Sequence, residues 1–351
     1  MRDLIKKIKN FLYWLFEGYV PMDTVEDGMP YYVLPEKRVF MQNTVKGDFR
    51  LHRMQSGFCA NWGEKIVARA DDGSLRWPLE GWGRCMAVSP DGTKFIAAQQ
   101  TQLCIFNAAT GTALQEPIEL PCFLDFLIWH DEFRIMGTDA ENIYVFDESG
   151  QMLNVVDNAI EKGGFIGGLC PDQRYSNRVT ILDVNHRKLK KIDTSRNQVI
   201  QELYADAAEQ LFCSKDAHFI WTTVVDGSLL DEIKVLNNRN LREKFGFPFH
   251  GKKGVRFAGQ QFNDISFHNW VALPDLSPNR HFFLINDNSG QLRMVDAQIG
   301  ALRRIFSRKL LDFVHAVLWL DDEYFVVMLE GGFVAKMGIR KKELDFKHKD
   351  L

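Results

Sequence analysis

The sequence predicts an all-β fold assembled from seven repeats of a four-stranded unit, preceded by one short amphipathic helix. Three observations carry that expectation. From residue 30 onward, short strand-like runs recur between turns rich in Gly, Asp, Asn, Ser and Pro, and long helical periods disappear. An acidic or amide residue closes a strand at Asp71, Asn107, Asp147, Asp193, Asn237 and Asp296, with Gly338 ending a degenerate last copy; the intervals are 36, 40, 46, 44, 59 and 42 residues. A second turn marker precedes each of the last six: Ser89-Pro90-Asp91-Gly92, His130-Asp131-Glu132, Cys170-Pro171-Asp172, Ser214-Lys215-Asp216, Ser277-Pro278-Asn279 and Leu320-Asp321-Asp322. Pro at the second turn position with Asp or Asn after it is turn chemistry. Two markers in constant phase, repeating every ~40 residues, are the pattern of a β-propeller with four strands to a blade. Seven phased turns predict a seven-bladed β-propeller, with six blades and an N-terminal appendage as the alternative count.

Residues 1–20 are predicted to form the helix. At ~100° per residue, Leu4, Ile5, Ile8, Phe11, Leu12, Leu15 and Phe16 share one arc, with Arg2, Lys6, Lys9, Asn10 and Glu17 opposite. Tyr13 and Trp14 fall at the margins, and Gly18 and Pro21 stop the helix. Three roles are open: packing on its own domain, docking on a partner, or lying in the plane of an anionic membrane surface. Ile8, Phe11, Leu12, Trp14, Leu15 and Phe16 would make the contact. The apolar run 11–16 is too short for a secretory signal or a membrane span.

The propeller is expected over residues 30–346, leaving 347–351 as a tail. The first blade is the least defined, with early strands expected at 38–42 and 49–54 before 65–70. The last blade is expected to borrow 31–34 as its outer strand and so close the ring, with 344–346 as the competing closure. The 59-residue interval implies an insertion loop at 245–263. Between Asn237 and Asn263 six basic residues face one acid, Glu243, and phenylalanines interleave with them. Phe245, Phe247, Phe249, His250, Lys252, Lys253, Arg256 and Phe257 are the candidate partner-binding residues, because aromatics beside cations suit partner or anion recognition.

At Met86-Ala87-Val88-Ser89-Pro90-Asp91-Gly92-Thr93-Lys94-Phe95-Ile96-Ala97 the chain most closely resembles the WD40-like and YVTN-type β-propellers, and the resemblance covers about residues 30 to 345. The Gly-His opening and Trp-Asp ending of standard WD40 blades are absent; the strand-closing dipeptides are Phe-Asn, Phe-Asp, Ile-Asp, Leu-Asn and Val-Asp. The resemblance implies a fold and a habit of binding partners, and it supplies no catalytic residue.

Composition narrows the function. Lys and Arg total 43 against 46 Asp and Glu, for a net charge of -3, so no bulk polycation points to nucleic acid. The six cysteines are widely spaced and mostly sit in apolar runs, which predicts reduced core thiols and a cytoplasmic chain. The lysines of the helix and of residues 340–351 could add a peripheral contact with the inner leaflet of a membrane. On the face formed by the b–c turns and d–a loops, an acidic set is expected: Asp139, Glu141, Asp183, Asp226, Asp231, Glu232, Asp287 and Glu330. Turn-forming alone accounts for such residues; the sharper alternative is a site for a basic partner.

No HExxH, GxSxG, P-loop or dinucleotide-binding fingerprint occurs, so no metal and no cofactor are expected. His268 and His315, with Asp125, are the candidate channel-lining groups if the chain were a propeller enzyme, a hydrolase or lyase. The leading expectation is a non-catalytic interaction protein, a scaffold, adaptor or immunity-type binder, whose partner is a protein. A membrane-peripheral scaffold anchored by residues 1–18 is the remaining alternative.

Overall fold

The computed structural model describes residues 51–62, 65–71, 73–131, 133–172, 174–206, 208–214, 217–226, 229–248, 275–286, 292–297, 302–305, 314–329 and 334–338. These hold 27 strands in seven antiparallel sheets, and within each sheet neighbours in sequence are neighbours in space. The first sheet is β1 (Leu51–Arg53), β2 (Phe58–Trp62), β3 (Lys65–Arg69) and β4 (Leu75–Glu80). The second is β5 (Cys85–Val88), β6 (Lys94–Gln99), β7 (Gln102–Asn107) and β8 (Ile118–Glu119). The third is β9 (Phe126–Trp129), β10 (Arg134–Thr138), β11 (Ile143–Asp147) and β12 (Met152–Val156). The fourth is β13 (Ile166–Pro171), β14 (Arg178–Asp183), β15 (Lys188–Asp193) and β16 (Gln198–Tyr204). The fifth is β17 (Ala208–Cys213), β18 (Phe219–Asp226), β19 (Leu229–Asn237) and β20 (Glu243–Pro248). The sixth is β21 (Asp275–Leu276), β22 (Phe282–Asn286), β23 (Leu292–Asp296) and β24 (Leu302–Ile305), and the seventh shows β25 (Val314–Trp319), β26 (Tyr324–Leu329) and β27 (Val334–Gly338). The described residues divide into two compact units, with sheets one to five inside Asn43–Trp270 and sheets six and seven inside Val271–Leu351.

Both sequence markers prove to be side-chain-capped turns. At the first-to-second-strand turn of sheet two, Ser89 Oγ donates to Asp91 Oδ1 at 2.6 Å, and the Lys94 N–H donates to Ser89 Oγ at 3.0 Å. The bond from Ser89, with those from Thr93, holds the Asp91 carboxyl down at a pKa of about 2. Ser214 and Ser277 repeat the device, accepting from the N–H of Phe219 and Phe282 at 3.1 and 2.9 Å. At the third-to-fourth-strand turns, Asn107, Asp147, Asp193 and Asn237 each accept a backbone N–H two residues on, from Ala109, Ser149, Ser195 and Arg239. A short polar side chain that mimics a backbone turn explains why Asp and Asn recur in phase while the residues around them drift.

The first sheet differs from expectation. Its opening strands are Leu51–Arg53 and Phe58–Trp62, so 49–54 supplies the innermost strand, and 38–42 lies outside the described residues. Gly57, at φ 90, makes the tight turn between them, and the Met54 N–H donates to the Gly57 carbonyl at 3.1 Å. Both segments offered for ring closure, 31–34 and 344–346, also lie outside the described residues, as does the helix 1–20.

The aromatic residues pack largely within and between sheets. Trp77 of the first sheet stacks on Phe95 of the second at 5.4 Å, and Phe95 stacks on Phe106 at 4.9 Å. Phe95, Phe146, Trp221, Phe283 and Phe325 are fully buried, each worth roughly 1.5–3 kcal/mol of transfer free energy or somewhat more. Phe123, Phe133, Phe165, Tyr175 and Tyr204 are exceptions and stand exposed, Phe133 in the turn before β10. All six cysteines are free, four of them buried, and burial pushes the Cys59 thiol up.

Candidate anion-binding cleft

The fourth and fifth sheets approach closely along their innermost strands. A Cβ added at Gly168 of β13 would lie 2.4 Å from the Leu211 carbonyl oxygen of β17, and one at Gly167 2.6 Å from that of Glu209. The glycine-rich run 163–168 therefore serves close packing of strand on strand. On the turn side of the same seam is a cavity of about 230 Å³. The β13–β14 turn and the start of β14 line it with Asp172, Arg174, Tyr175 and Arg178; β15 and β16 add Lys191, Ile200 and Gln201, and the β19–β20 turn adds Arg239.

Lys191 forms the floor. Its Nζ, almost wholly buried, donates to Asp172 Oδ2 at 2.7 Å and to the Asn238 carbonyl oxygen. Asn238 ties the two sheets together. Its Nδ2 donates to the Pro171 and Ala217 carbonyls at 2.8 Å, and its Oδ1 accepts from Thr180 Oγ1 at 3.0 Å. Burial alone would raise the Asp172 pKa; the bonds from Lys191 Nζ and the Arg174 N–H outweigh it and leave the carboxyl below the ordinary range. Lys191 is thus neutralised, Arg178 is answered by Asp193, and Arg174 and Arg239 are in surplus. The Arg178 guanidinium lies over the Tyr175 ring at 3.8 Å, while its Nε makes no hydrogen bond and stays 3.7 Å from Asp193 Oδ2. Among the described residues, the guanidinium groups of Arg174 and Arg239 have no carboxylate partner. A guanidinium presents a planar fork of donors that fits carboxylate or phosphate. Tyr175 and Ile200, both exposed, supply apolar walls. The cleft can hold an anion with an apolar flank; it contains no nucleophile paired with a base.

The opposite face of the fourth sheet shows what a closed charge network looks like. Lys190, next to Lys191 on β15, donates to Asp183 Oδ2 at 2.9 Å and lies 4.0 Å from Glu161. His186 Nδ1 is 2.9 Å from Asp183 Oδ1, and Lys188 pairs with Glu161 at 3.0 Å and Glu202 at 3.6 Å. Burial pushes the Asp183 carboxyl up, but the bonds from Lys190 and His186 outweigh it and hold it low.

Of the expected acidic set, Asp139 and Asp183 are spent on neighbouring groups. Asp139 is spent on its own turn, accepting from the N–H groups of Glu141 and Asn142 and from Tyr144 Oη at 2.7 Å, with Glu141 beside it. Asp183 serves Lys190. Asp226 closes β18, and Asp231 and Glu232 lie within β19 rather than in the turn between them. Asp287 and Glu330 lie outside the described residues. In the basic-aromatic segment, Phe245 and Phe247 belong to β20, pairing in register with Val235 and Ile233. The strand therefore runs to Pro248 before any loop begins. Phe249, His250, Lys252, Lys253, Arg256 and Phe257 lie outside the described residues, as do Ile8, Phe11, Leu12, Trp14, Leu15 and Phe16 of the helix. Asp125, a candidate channel residue, pairs with Arg84 at 2.8 Å; His315 is in β25, and His268 lies outside the described residues. Among the described residues no group of three or more His, Cys, Asp or Glu could hold a metal ion.

The sequence reading counts Arg239 among the six basic residues between Asn237 and Asn263 without making it a contact residue, and it gives no binding role to Arg174, Tyr175 or Arg178. Two signals could have found them: arginines inside phased turns, where polar neutral residues suffice, and the consecutive lysines of Lys188-Leu189-Lys190-Lys191. On a strand, neighbours face opposite sides, so one of the two adjacent lysines must enter each interface.

No family model matches this sequence, and no curated protein matches it. Among solved structures, the β-propeller domain of Cps50 (Swd1) from Myceliophteria thermophila is similar, with a TM-score of 0.65 at 11% identity, covering 89% of this chain and 100% of that one. With seven sheets of the expected strand order, this shows the seven-bladed β-propeller fold.

Proposed function

We propose that this chain is a non-catalytic interaction protein whose cleft between the fourth and fifth sheets binds an acidic segment of a partner protein. One observation carries the reading: Arg174 and Arg239, without a carboxylate partner among the described residues, converge with Arg178 on a cavity whose only described lining carboxylate, Asp172, is already matched by Lys191. Guanidinium groups beside the apolar Tyr175 and Ile200 favour a carboxylate-bearing chain with apolar neighbours over a free inorganic anion. The fold supports the same reading, because propellers commonly serve as interaction scaffolds, but fold alone would not choose the site.

The test is photo-crosslinking in the native host. Benzoylphenylalanine replaces Tyr175 at the cleft and, as control, Leu75 on the outer strand of the first sheet. The expected result is one discrete protein adduct from position 175 only, mapped to an acidic segment and lost in R174E/R239E. Equal labelling from both positions, or an adduct indifferent to the charge reversal, would refute the site.

A further inference from the structure

The outer strand of the fourth sheet is the longest of the described outer strands and the least protected. Every sheet must end in a strand with one unpaired side, and such edges are usually blunted by proline, charge or shortness. The outer strand of sheet one carries Pro78, that of sheet two has two residues, that of sheet five ends in Pro248, and that of sheet six carries Arg303 and Arg304. β12 of sheet three is uncharged, but it is shorter, at five residues, and does not line the arginine cleft. β16 has seven residues, no proline and one charge, Glu202. Among the described residues it pairs only with β15, and Val199, Ile200, Leu203 and Tyr204 are exposed along it. Ile200 and Gln201 also line the arginine cleft, so the free edge and the cations form one continuous surface.

We propose that β16 is a template for strand addition: an extended partner segment pairs along it as a fifth strand and places its acidic residues in the Arg174–Arg239 cleft. This rests on the reading of the cleft above and names the shape of its ligand. Main-chain hydrogen bonds give affinity along an edge, and side-chain pockets give selectivity. The cleft supplies the selectivity here. Its surplus positive charge selects an acidic occupant and disfavours this chain's own segment 249–274, which carries Lys252, Lys253 and Arg256. Direction follows too. The cleft adjoins the Gln198 half of β16 through Ile200 and Gln201. An antiparallel addition, the arrangement of every described pair in this protein, runs from Tyr204 toward Gln198 and brings its acids at its C-terminal end.

The experiment uses the full chain and a fluorescein-labelled acid-tailed peptide, Thr-Val-Thr-Val-Thr-Val-Glu-Glu-Glu. The reversed order, Glu-Glu-Glu-Val-Thr-Val-Thr-Val-Thr, and plain hexaglutamate are the comparisons. Binding is read by anisotropy, and backbone pairing by hydrogen exchange over residues 198–204. The expected result is slowed exchange at alternate β16 amides with the acid-tailed peptide and binding about tenfold weaker for the reversed order. A similar loss is expected in Y204P, which removes a main-chain donor from the edge, adds no charge and spares the cleft. If all three peptides bind alike through the arginines and β16 exchange is unchanged, strand addition is overturned while the cleft reading stands. If none binds, both fall. Slow exchange of the outward-facing β16 amides, those not bonded to β15, in the free chain would assign the edge to a second copy or to this chain itself, and would also overturn the proposal.

Discussion

Lys190 and Lys191 are consecutive residues of one strand, equally buried at 3% exposure, and their surroundings are opposites. Lys190 lies on the face where Asp183, His186, Glu161 and Lys188 answer one another and little charge is left over. Lys191 faces the fifth sheet, where Asp172 matches it, Asp193 answers Arg178, and Arg174 and Arg239 remain in excess. The first arrangement is closed and structural. The second keeps a neutral floor and an unspent rim, which is what a binding site for an anion requires. Burial of a charge does not by itself mark function; charge left over beside a matched pair does.

The contrast depends most on its carboxylates. Asp183→Ala and Asp172→Ala each remove the hydrogen-bonded carboxylate of a buried lysine, leaving Lys190 only the more distant Glu161 at 4.0 Å, an expected loss of about 3–5 kcal/mol. Asp183→Ala should sit at the upper end, because Lys191 keeps the Asn238 carbonyl and lines an open cavity. Urea unfolding midpoints check the ranking, and a milder effect at Asp183 would reverse the assignment of closed and open faces. Next comes the seam that positions the cleft. Gly168→Ala should cost about 1–3 kcal/mol through overpacking against Leu211, read as a lowered thermal midpoint.

Acid probes both faces at once. Asp172 and Asp183 are held below their unfolded values. The stability they contribute is therefore present above the unfolded pKa of about 3.9 and lost as pH falls through the lower folded values. Unfolding midpoints of wild type should drop steeply below about pH 4, and those of D172N/D183N less steeply. The smallest expected stability effect lies at the rim. Arg174→Ala and Arg239→Ala remove guanidinium groups without a carboxylate partner among the described residues. Each should shift stability by less than about 0.5 kcal/mol while weakening acidic-peptide binding.

Much of the fold was legible in the sequence because its turns are chemical. Ser89, Asp91, Asn107, Asp147 and Asp193 announce themselves by capping groups near them in the chain. The first sheet is one strand away from its expected place because Gly57, where a tight turn forms, carries no Pro or Asp neighbour to mark it. The cleft was illegible for another reason. Arg174 and Arg239 belong to different turns of different sheets, and only the approach of β13 to β17 brings them together. Asp139 and Asp183, singled out instead, are sound turn formers whose charges go to Tyr144, Asn142, Lys190 and His186.

Whether the surplus arginines form a site can be decided by one titration series. The affinity of the acid-tailed peptide is measured across salt concentrations for wild type, for R174E/R239E, and for a control with the same charge change away from the cleft, K65E/R76E. Binding should weaken as salt rises, fall at least about tenfold in R174E/R239E, and stay near wild type in the control. Equal losses in the two variants would mean that net charge, not the cleft, attracts the peptide, and the arginines would then be no site at all.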